Sequence, residues 1–312
     1  MNNLNGILFI LAAMAAFTLE DMFIKRLSGD VPVGQILMLL GLGSGTVFAA
    51  AAVYRGDNLF APAAWRGAAI LRTLSEAVGA VAFATALSLV DISTVAAVFQ
   101  ALPLVITMGA ALFLGEQVGW RRWSAICVGF VGVLMIVRPG LAGFNPSVIL
   151  VLVAVLAIAA RDLLTRMVDS SVSSAVVSFQ AFASVIVAGG LLLVSTGAEP
   201  TALDGRQVGM MLGGVVFGVA GYYAIVTATR IGDASAITPF RYSRLLFSIL
   251  VGVLVFGERP DAMTLGGAAL IIVSGLYTFV RERRLAREQV REQARLLRAG
   301  SVVSATPGST GV

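Results

Sequence analysis

The sequence predicts an all-α integral membrane protein with ten transmembrane helices in two inverted five-helix repeats. Three observations lead to this fold class. Of 312 residues, 58% are hydrophobic and 12% are charged, whereas a soluble domain has about 45–50% apolar and about 25% charged residues. About ten apolar segments alternate with very short polar connectors. The pattern of these segments then occurs a second time.

The internal repeat is visible residue by residue. Residues 86–117 align with residues 228–259 at a constant offset of 142, and the first spans of the two halves align more faintly at an offset of 141. With five spans in each half, an odd number, the two halves cross the membrane in opposite directions. The matched pairs include Asp91 with Asp233, Ser93 with Ser235, Gly115 with Gly257, Glu116 with Glu258, Asp21 with Asp162, and Lys25 with Arg166.

Each predicted span has roughly the 20 mainly apolar residues that cross a bilayer. Short runs rich in Gly, Pro, Asp and Asn separate the spans, as expected for turns. The first apolar segment is interpreted as a permanent span, because no basic region precedes it and no cleavage site follows. The predicted spans are 4–26, 31–54, 67–89, 92–114, 120–138, 145–166, 172–196, 207–229, 235–256 and 262–281.

The basic residues predict the orientation of the chain. Ten spans place both termini on one side, and the loops and tail on that side carry 13 Lys and Arg residues against 5 on the other. Basic residues concentrate in cytoplasmic loops, so both termini are predicted to be cytoplasmic in a multi-pass protein of the inner (plasma) membrane. Residues 282–312 are predicted to form a cytoplasmic tail, partly helical and then disordered.

Composition excludes several classes of chemistry. The chain has no His and a single Cys, Cys127, which excludes disulfides, His-ligated metal sites and Ser-His-Asp triads. No Walker loop is present, so ATP is not the predicted energy source. The basic residues lie in loops and the tail, which favours membrane orientation over nucleic-acid binding. We therefore expect a lipid bilayer and a small-molecule substrate as partners, with no cofactor and no metal.

The repeated unit ends its fourth helix with the letters LGEQ in the first copy and FGER in the second. It resembles the EamA units of the drug/metabolite transporter superfamily. The resemblance covers residues 4–281 and implies an EamA-like repeat over 4–138 and another over 145–281. It also implies a ten-helix carrier, commonly an exporter of amino acids or related metabolites, and the chain is most similar to the aromatic amino-acid exporter type.

Ionisable residues inside spans are candidate functional residues, because burial in lipid is costly for a charge. The predicted topology places six in the cytoplasmic third, where an inner gate, a substrate site and snorkelling to the interface are alternative interpretations. We expect Glu76 to pair with Arg161, Arg241 or Arg244, and Arg72 to pair with Asp162. Glu20 and Asp21 lie toward the outer end and are candidate proton carriers or interfacial residues. The six inner residues are Arg72, Glu76, Arg161, Asp162, Arg241 and Arg244.

Polar and aromatic residues suggest a central cavity between spans 1, 3, 4 and their partners 6, 8, 9. Buried amides need hydrogen-bond partners, which a substrate or a neighbouring helix supplies. The aromatic residues either line the cavity or face lipid. Pro103 and Pro239 are expected to bend their helices at different depths. The candidate cavity residues are Gln100, Gln180, Phe83, Phe99, Tyr222, Tyr223 and Tyr242.

Together these patterns predict a secondary transporter that exports small organic metabolites, amino acids first among them, by alternating access between the repeats. The alternatives are an intramembrane enzyme and a structural or sensory membrane protein. An enzyme would need a convergent nucleophile and base, and without His the available groups are carboxylates and Lys25.

Overall fold

The computed structural model describes residues 3–116, 119–139, 141, 144–169, 171–231, 237–281 and 284. Within these residues, ten helices are long and apolar enough to cross a membrane. The predicted fold class is confirmed. Asp233 and Ser235 of the sequence repeat, and the predicted tail apart from Arg284, lie outside the described residues.

Each half has five spans. In the first half these are α1 (Asn3–Leu27), α2 (Val33–Tyr54), α3 (Ala68–Leu89), the pair α4 (Ile92–Phe99) and α5 (Leu102–Phe113), and α6 (Trp120–Val137). Together α4 and α5 form the fourth span. The second half contains α7 (Val148–Thr165), α8 (Ser174–Thr196), α9 (Gly205–Ile231), α10 (Ser243–Phe256) and α11 (Ala262–Arg281). We call the side on which α1 begins the near side, and the side on which α1 ends the far side.

The fourth span of each half is interrupted, and the two interruptions fall at matching positions of the repeat. In the first half α4 ends at Phe99 and α5 begins at Leu102. Pro103 has no N–H to donate to the carbonyl of Phe99, so the helix breaks near its middle. In the second half the 3₁₀ segment Thr238–Tyr242 runs directly into α10. At the offset of 142 this segment matches residues 96–100. The breaks therefore coincide, although Pro103 and Pro239 were expected to bend their helices at different depths.

The helices of one half pack along those of the other. The main pairings are α1 with α9, α3 with α7, and α2 with α8. The repeat relates α1 to α7 and α3 to α9, so the first two pairings are equivalent. Side chains obey the same relation: Ile158 packs on Gly79, and Phe17 packs on Gly221. These residues match at the offsets of 142 and 141 that the sequence repeat shows.

α2 and α8 cross at a contact between two glycines. A Cβ on Gly34 would lie 2.5 Å from the carbonyl oxygen of Gly189, and a Cβ on Gly189 would lie 2.6 Å from that of Gly34. Neither position has room for a side chain. Small residues at such crossings let two membrane helices approach closely.

We expect Gly34→Ala to lower the free energy of unfolding by about 1–3 kcal/mol, because the added methyl overlaps the α8 backbone. Thermal unfolding of the purified protein in detergent measures this. Gly209→Ala is the matched control: nothing lies within 4 Å of a Cβ there, so the change should be neutral or stabilise by up to about 1 kcal/mol. Equal destabilisation by both substitutions would contradict the packing described.

Candidate functional site

The ionisable side chains within the spans form three groups along the bundle. The central cage consists of Asp21, Arg244, Phe17, Phe83 and Phe99. The near network consists of Arg72, Glu76, Arg161 and Asp162. The far clamp consists of Lys25, Glu258 and the first turn of α4.

The central cage holds a guanidinium between a carboxylate and three phenylalanine rings. Arg244 Nη2 lies 2.7 Å from Asp21 Oδ2. The same guanidinium lies 5.6 Å from the centroids of Phe17 and Phe83 and 5.4 Å from that of Phe99. The Asp21 side chain is only 6% exposed. The site therefore combines both signs of charge with an aromatic wall.

The Asp21–Arg244 pair corrects the sequence prediction, which placed Arg244 with the near-side charges and Asp21 toward the opposite end. The reason is the depth of the residues that precede α10. Ile237 packs against Ile10 and Met14 of α1, so Arg244, seven residues further along the chain, lies deep in the bundle. The long Arg244 side chain then extends toward the far side and reaches Asp21.

Glu20 shows how the two halves differ. The repeat matches Glu20 with Arg161 and Gly218 with Glu76. Where α7 packs on α3, Arg161 pairs with Glu76. At the equivalent place, where α1 packs on α9, the Glu20 carboxylate lies against Gly218, and a Cβ on Gly218 would be 2.5 Å from Oε1. One contact is thus an ion pair, and its counterpart is a carboxylate facing a glycine.

The near network joins the two halves. Arg161 Nη1 lies 3.1 Å from Glu76 Oε1, and Arg161 Nη2 lies 2.7 Å from Asp162 Oδ1. Arg72 Nη2 lies 3.5 Å from Glu76 Oε2 on the same helix. Because α3 carries Glu76 and α7 carries Arg161, this contact crosses between the repeats, and it is one of the pairs the sequence predicts.

Three arginines expected to take part in cross-half pairs have other surroundings. Arg72 does not pair with Asp162: its Nε donates to Thr165 Oγ1 at 3.0 Å, because Thr165 lies almost one turn nearer the near side than Asp162, which Arg161 already holds. Arg244 belongs to the central cage. Arg241 lies in the 3₁₀ segment Thr238–Tyr242 and is exposed.

Glu76→Gln removes the cross-half partner of Arg161 but leaves Asp162 beside it, so it should lower the free energy of unfolding by about 1–3 kcal/mol. The double substitution Glu76→Gln with Arg161→Gln should cost less than the sum of the two single substitutions. Unfolding of the four variants of this cycle in detergent measures the coupling. Additive effects would show that the two side chains do not interact.

The far clamp was missed by sequence reasoning as a site. Glu258 Oε1 accepts from the backbone N–H of Ile92 at 2.7 Å, and its Oε2 accepts from the hydroxyl of Ser93 at 2.6 Å. Lys25 Nζ lies 3.9 Å from Glu258 Oε1 and donates to the carbonyl of Val90 at 2.5 Å. A carboxylate at a helix N-terminus satisfies free N–H groups. The clamp thus ties the end of α10 to α1 and to the start of α4.

The equivalent pair at the near side has a different environment. Arg166 Nη1 lies 2.9 Å from Glu116 Oε1, and the repeat matches these residues with Lys25 and Glu258. Their side chains are 53% and 41% exposed, against 15% and 4% for Lys25 and Glu258. The buried Lys25–Glu258 pair closes the far side, whereas the equivalent Arg166–Glu116 pair is exposed at the near side.

Two carboxyls lie at the far surface outside the spans. Burial and the neighbouring Glu258 carboxylate raise the pKa of Asp91, with Lys25 opposing. The hydrogen bond from Arg138 holds the pKa of Asp261 well below its usual value, helped by the backbone N–H of Thr264. Both residues border a polar recess at this surface.

The two candidate amides occupy different places. Gln100 is buried and ends α4 beside the break in the fourth span. Gln180, a candidate cavity residue, lies in the first third of α8, and its Nε2 donates to the carbonyl of Ala64. The 3₁₀ segment Pro62–Trp65 folds back against α8 and supplies this acceptor. Gln180 therefore attaches the connector between α2 and α3 to α8.

The aromatic candidates also separate. Phe83 and Phe99 pack edge to face at 5.1 Å within the central cage. Tyr222 is hydrogen-bonded to Ser178 at 2.5 Å. Tyr223 is 68% exposed on the bundle surface, and the hydroxyl of Tyr242 lies against Gly275 of α11. The sequence signals hydrophobicity all around these helices, so it could not indicate which face each ring occupies.

The chain is similar to known proteins both in sequence and in fold. The model of the EamA-like transporter family matches residues 4–138 and 145–280. The chain belongs to this family. A solved crystal structure at 19% identity has a TM-score of 0.58 and covers 91% of this chain and 99% of its own. That likeness concerns the EamA-like fold alone.

Several EamA-like relatives are named as transporters. The S-adenosylmethionine uptake transporter of Rickettsia prowazekii is 25% identical over 284 residues, 90% of this chain and 94% of that protein. The riboflavin transporter of Rhizobium johnstonii is 30% identical over 226 residues, 72% of this chain and 73% of that one. A pseudopaline exporter of Pseudomonas aeruginosa is 21% identical over 272 residues, 86% of this chain and 94% of that one. This chain is accordingly a multi-pass membrane transporter of small molecules.

Proposed function

We propose that this EamA-like transporter binds its substrate at the central cage and carries it by alternating access between the two repeats. The observation that carries the proposal is a buried carboxylate and a guanidinium 2.7 Å apart inside an aromatic wall. A substrate with an α-amino-acid group has an ammonium for Asp21 and a carboxylate for Arg244. The phenylalanine rings can pack on an attached ring system.

Two substrates fit this description. An aromatic amino acid matches the type that the sequence resembles. S-adenosylmethionine has the same amino-acid group with an adenine ring, and relatives of this chain are named for its uptake. Riboflavin, named for another relative, has a planar ring system and no ammonium. It is therefore the comparator that separates recognition of the ring from recognition of the amino-acid group.

The two equivalent ion pairs support alternating access. With both termini in the cytoplasm, the far clamp closes the external side, and the Arg166–Glu116 pair lies at the cytoplasmic side. We propose that the clamp opens as the cytoplasmic side closes, so that the central cage faces one side at a time. No step requires a nucleophile, which distinguishes this mechanism from that of an intramembrane enzyme.

Solute flux in proteoliposomes of the purified protein tests the proposal. We expect saturable uptake of labelled S-adenosylmethionine or phenylalanine, competed by the unlabelled solute and absent from liposomes without protein. Uptake of riboflavin alone would show a transporter that does not read the amino-acid group. If none of the three solutes is carried, the proposed substrate class is wrong.

A further inference from the structure

We infer that the central cage is a receptor for a methylated onium group of the substrate, and that Arg244 occupies it until the substrate enters. The inference rests on the proposed function and names the substrate group that the same site selects. The onium class comprises sulfonium and quaternary ammonium ions.

The chemistry of the cage favours a cation without N–H groups. Three phenylalanine rings surround the guanidinium of Arg244 at 5.4 to 5.6 Å. Aromatic faces attract a cation through the ring quadrupole, but a phenylalanine ring offers no oxygen to accept a hydrogen bond. Against the rings themselves an ammonium would leave N–H groups without acceptors, so the α-ammonium of the substrate is placed at the Asp21 carboxylate. A sulfonium or quaternary ammonium has no N–H group to satisfy and therefore suits the ring faces.

Entry of such a substrate exchanges partners without stranding a charge. The substrate's ammonium pairs with Asp21 and its carboxylate pairs with Arg244, while its onium group takes the place of the guanidinium among the rings. A ligand without the onium group gives the ring faces no cation in exchange for the guanidinium, so it displaces Arg244 less readily. S-adenosylmethionine and S-adenosylhomocysteine test this directly, since they differ by one methyl group and the sulfonium charge.

The test is equilibrium binding of both ligands to the purified full chain by calorimetry. We expect wild type to bind S-adenosylmethionine at least about tenfold more tightly than S-adenosylhomocysteine. Phe99→Leu should weaken S-adenosylmethionine binding about tenfold and change S-adenosylhomocysteine binding less than about twofold, whereas Phe99→Trp should keep the preference. Phe182→Leu is the control, because Phe182 stacks on Phe48 outside the cage, and it should change neither affinity.

Retained binding of S-adenosylhomocysteine shows that the Phe99→Leu variant is folded. If Phe99→Leu does not fold, Phe83→Leu is used in its place. Equal affinity of wild type for the two ligands, or equal loss of both in the variant, overturns the onium inference. Binding of neither ligand also overturns it. In each case the proposed function stands if proteoliposomes carry phenylalanine, and falls if they carry none of the solutes.

Discussion

Replacing Glu258 by Gln should release the far side of the bundle and lower the free energy of unfolding by about 3 kcal/mol. The carboxylate accepts from two backbone N–H groups and one hydroxyl of α4, and it is the anionic partner of Lys25. Its side chain is 4% exposed, so water does not replace these bonds. An amide retains one acceptor oxygen but points its NH₂ at groups that also donate.

Glu116→Gln is the matched control, because the repeat places Glu116 at the equivalent position. Its partner Arg166 is half exposed, and exposed pairs contribute at most about 1 kcal/mol. Unfolding of both variants in detergent, with wild type alongside, gives the comparison. A loss for Glu116→Gln as large as that for Glu258→Gln would show that burial does not distinguish the two pairs.

Asp21→Asn should reduce transport on the order of 100-fold, since the cage would lose its partner for the substrate cation and leave Arg244 unpaired. Arg244→Gln should be similarly damaging for substrates with a carboxylate. Initial rates in proteoliposomes measure both effects at equal protein content.

The double substitution separates stability from substrate recognition. Asp21→Asn with Arg244→Gln removes both charges, so its free energy of unfolding should recover toward wild type while transport stays low. Recovery of transport together with stability would show that the pair only holds the helices in place. In that outcome the central cage is not the substrate site.

The spans and the inverted repeat could be predicted from the sequence because both depend on hydropathy and spacing alone. The contact between Arg161 and Glu76 was also accessible, since topology placed both residues at one depth. The Asp21–Arg244 pair was not, because Ile237 already lies inside the bundle, beside Ile10, and Arg244 lies deeper still. Hydropathy reports that a segment is apolar and does not report the depth of each residue within it.

The far clamp illustrates a signal that was present but unused. Lys25 matches Arg166, and Glu258 matches Glu116; the structure pairs each acid with the base of the other half. The repeat alone could have suggested these two pairs. Their unequal burial depends on packing and could not be inferred, and neither could the contact of Gln180 with a 3₁₀ connector.

Distance measurement between spin labels tests alternating access most directly. In a Cys127→Ala background, cysteines at Asp30 and Arg259 report on the far side, and cysteines at the exposed Leu114 and Met167 report on the near side. We predict that Glu258→Gln lengthens the far distance and shortens the near distance, because opening one side closes the other. Lengthening of both distances, or a change on the far side alone, would contradict the account.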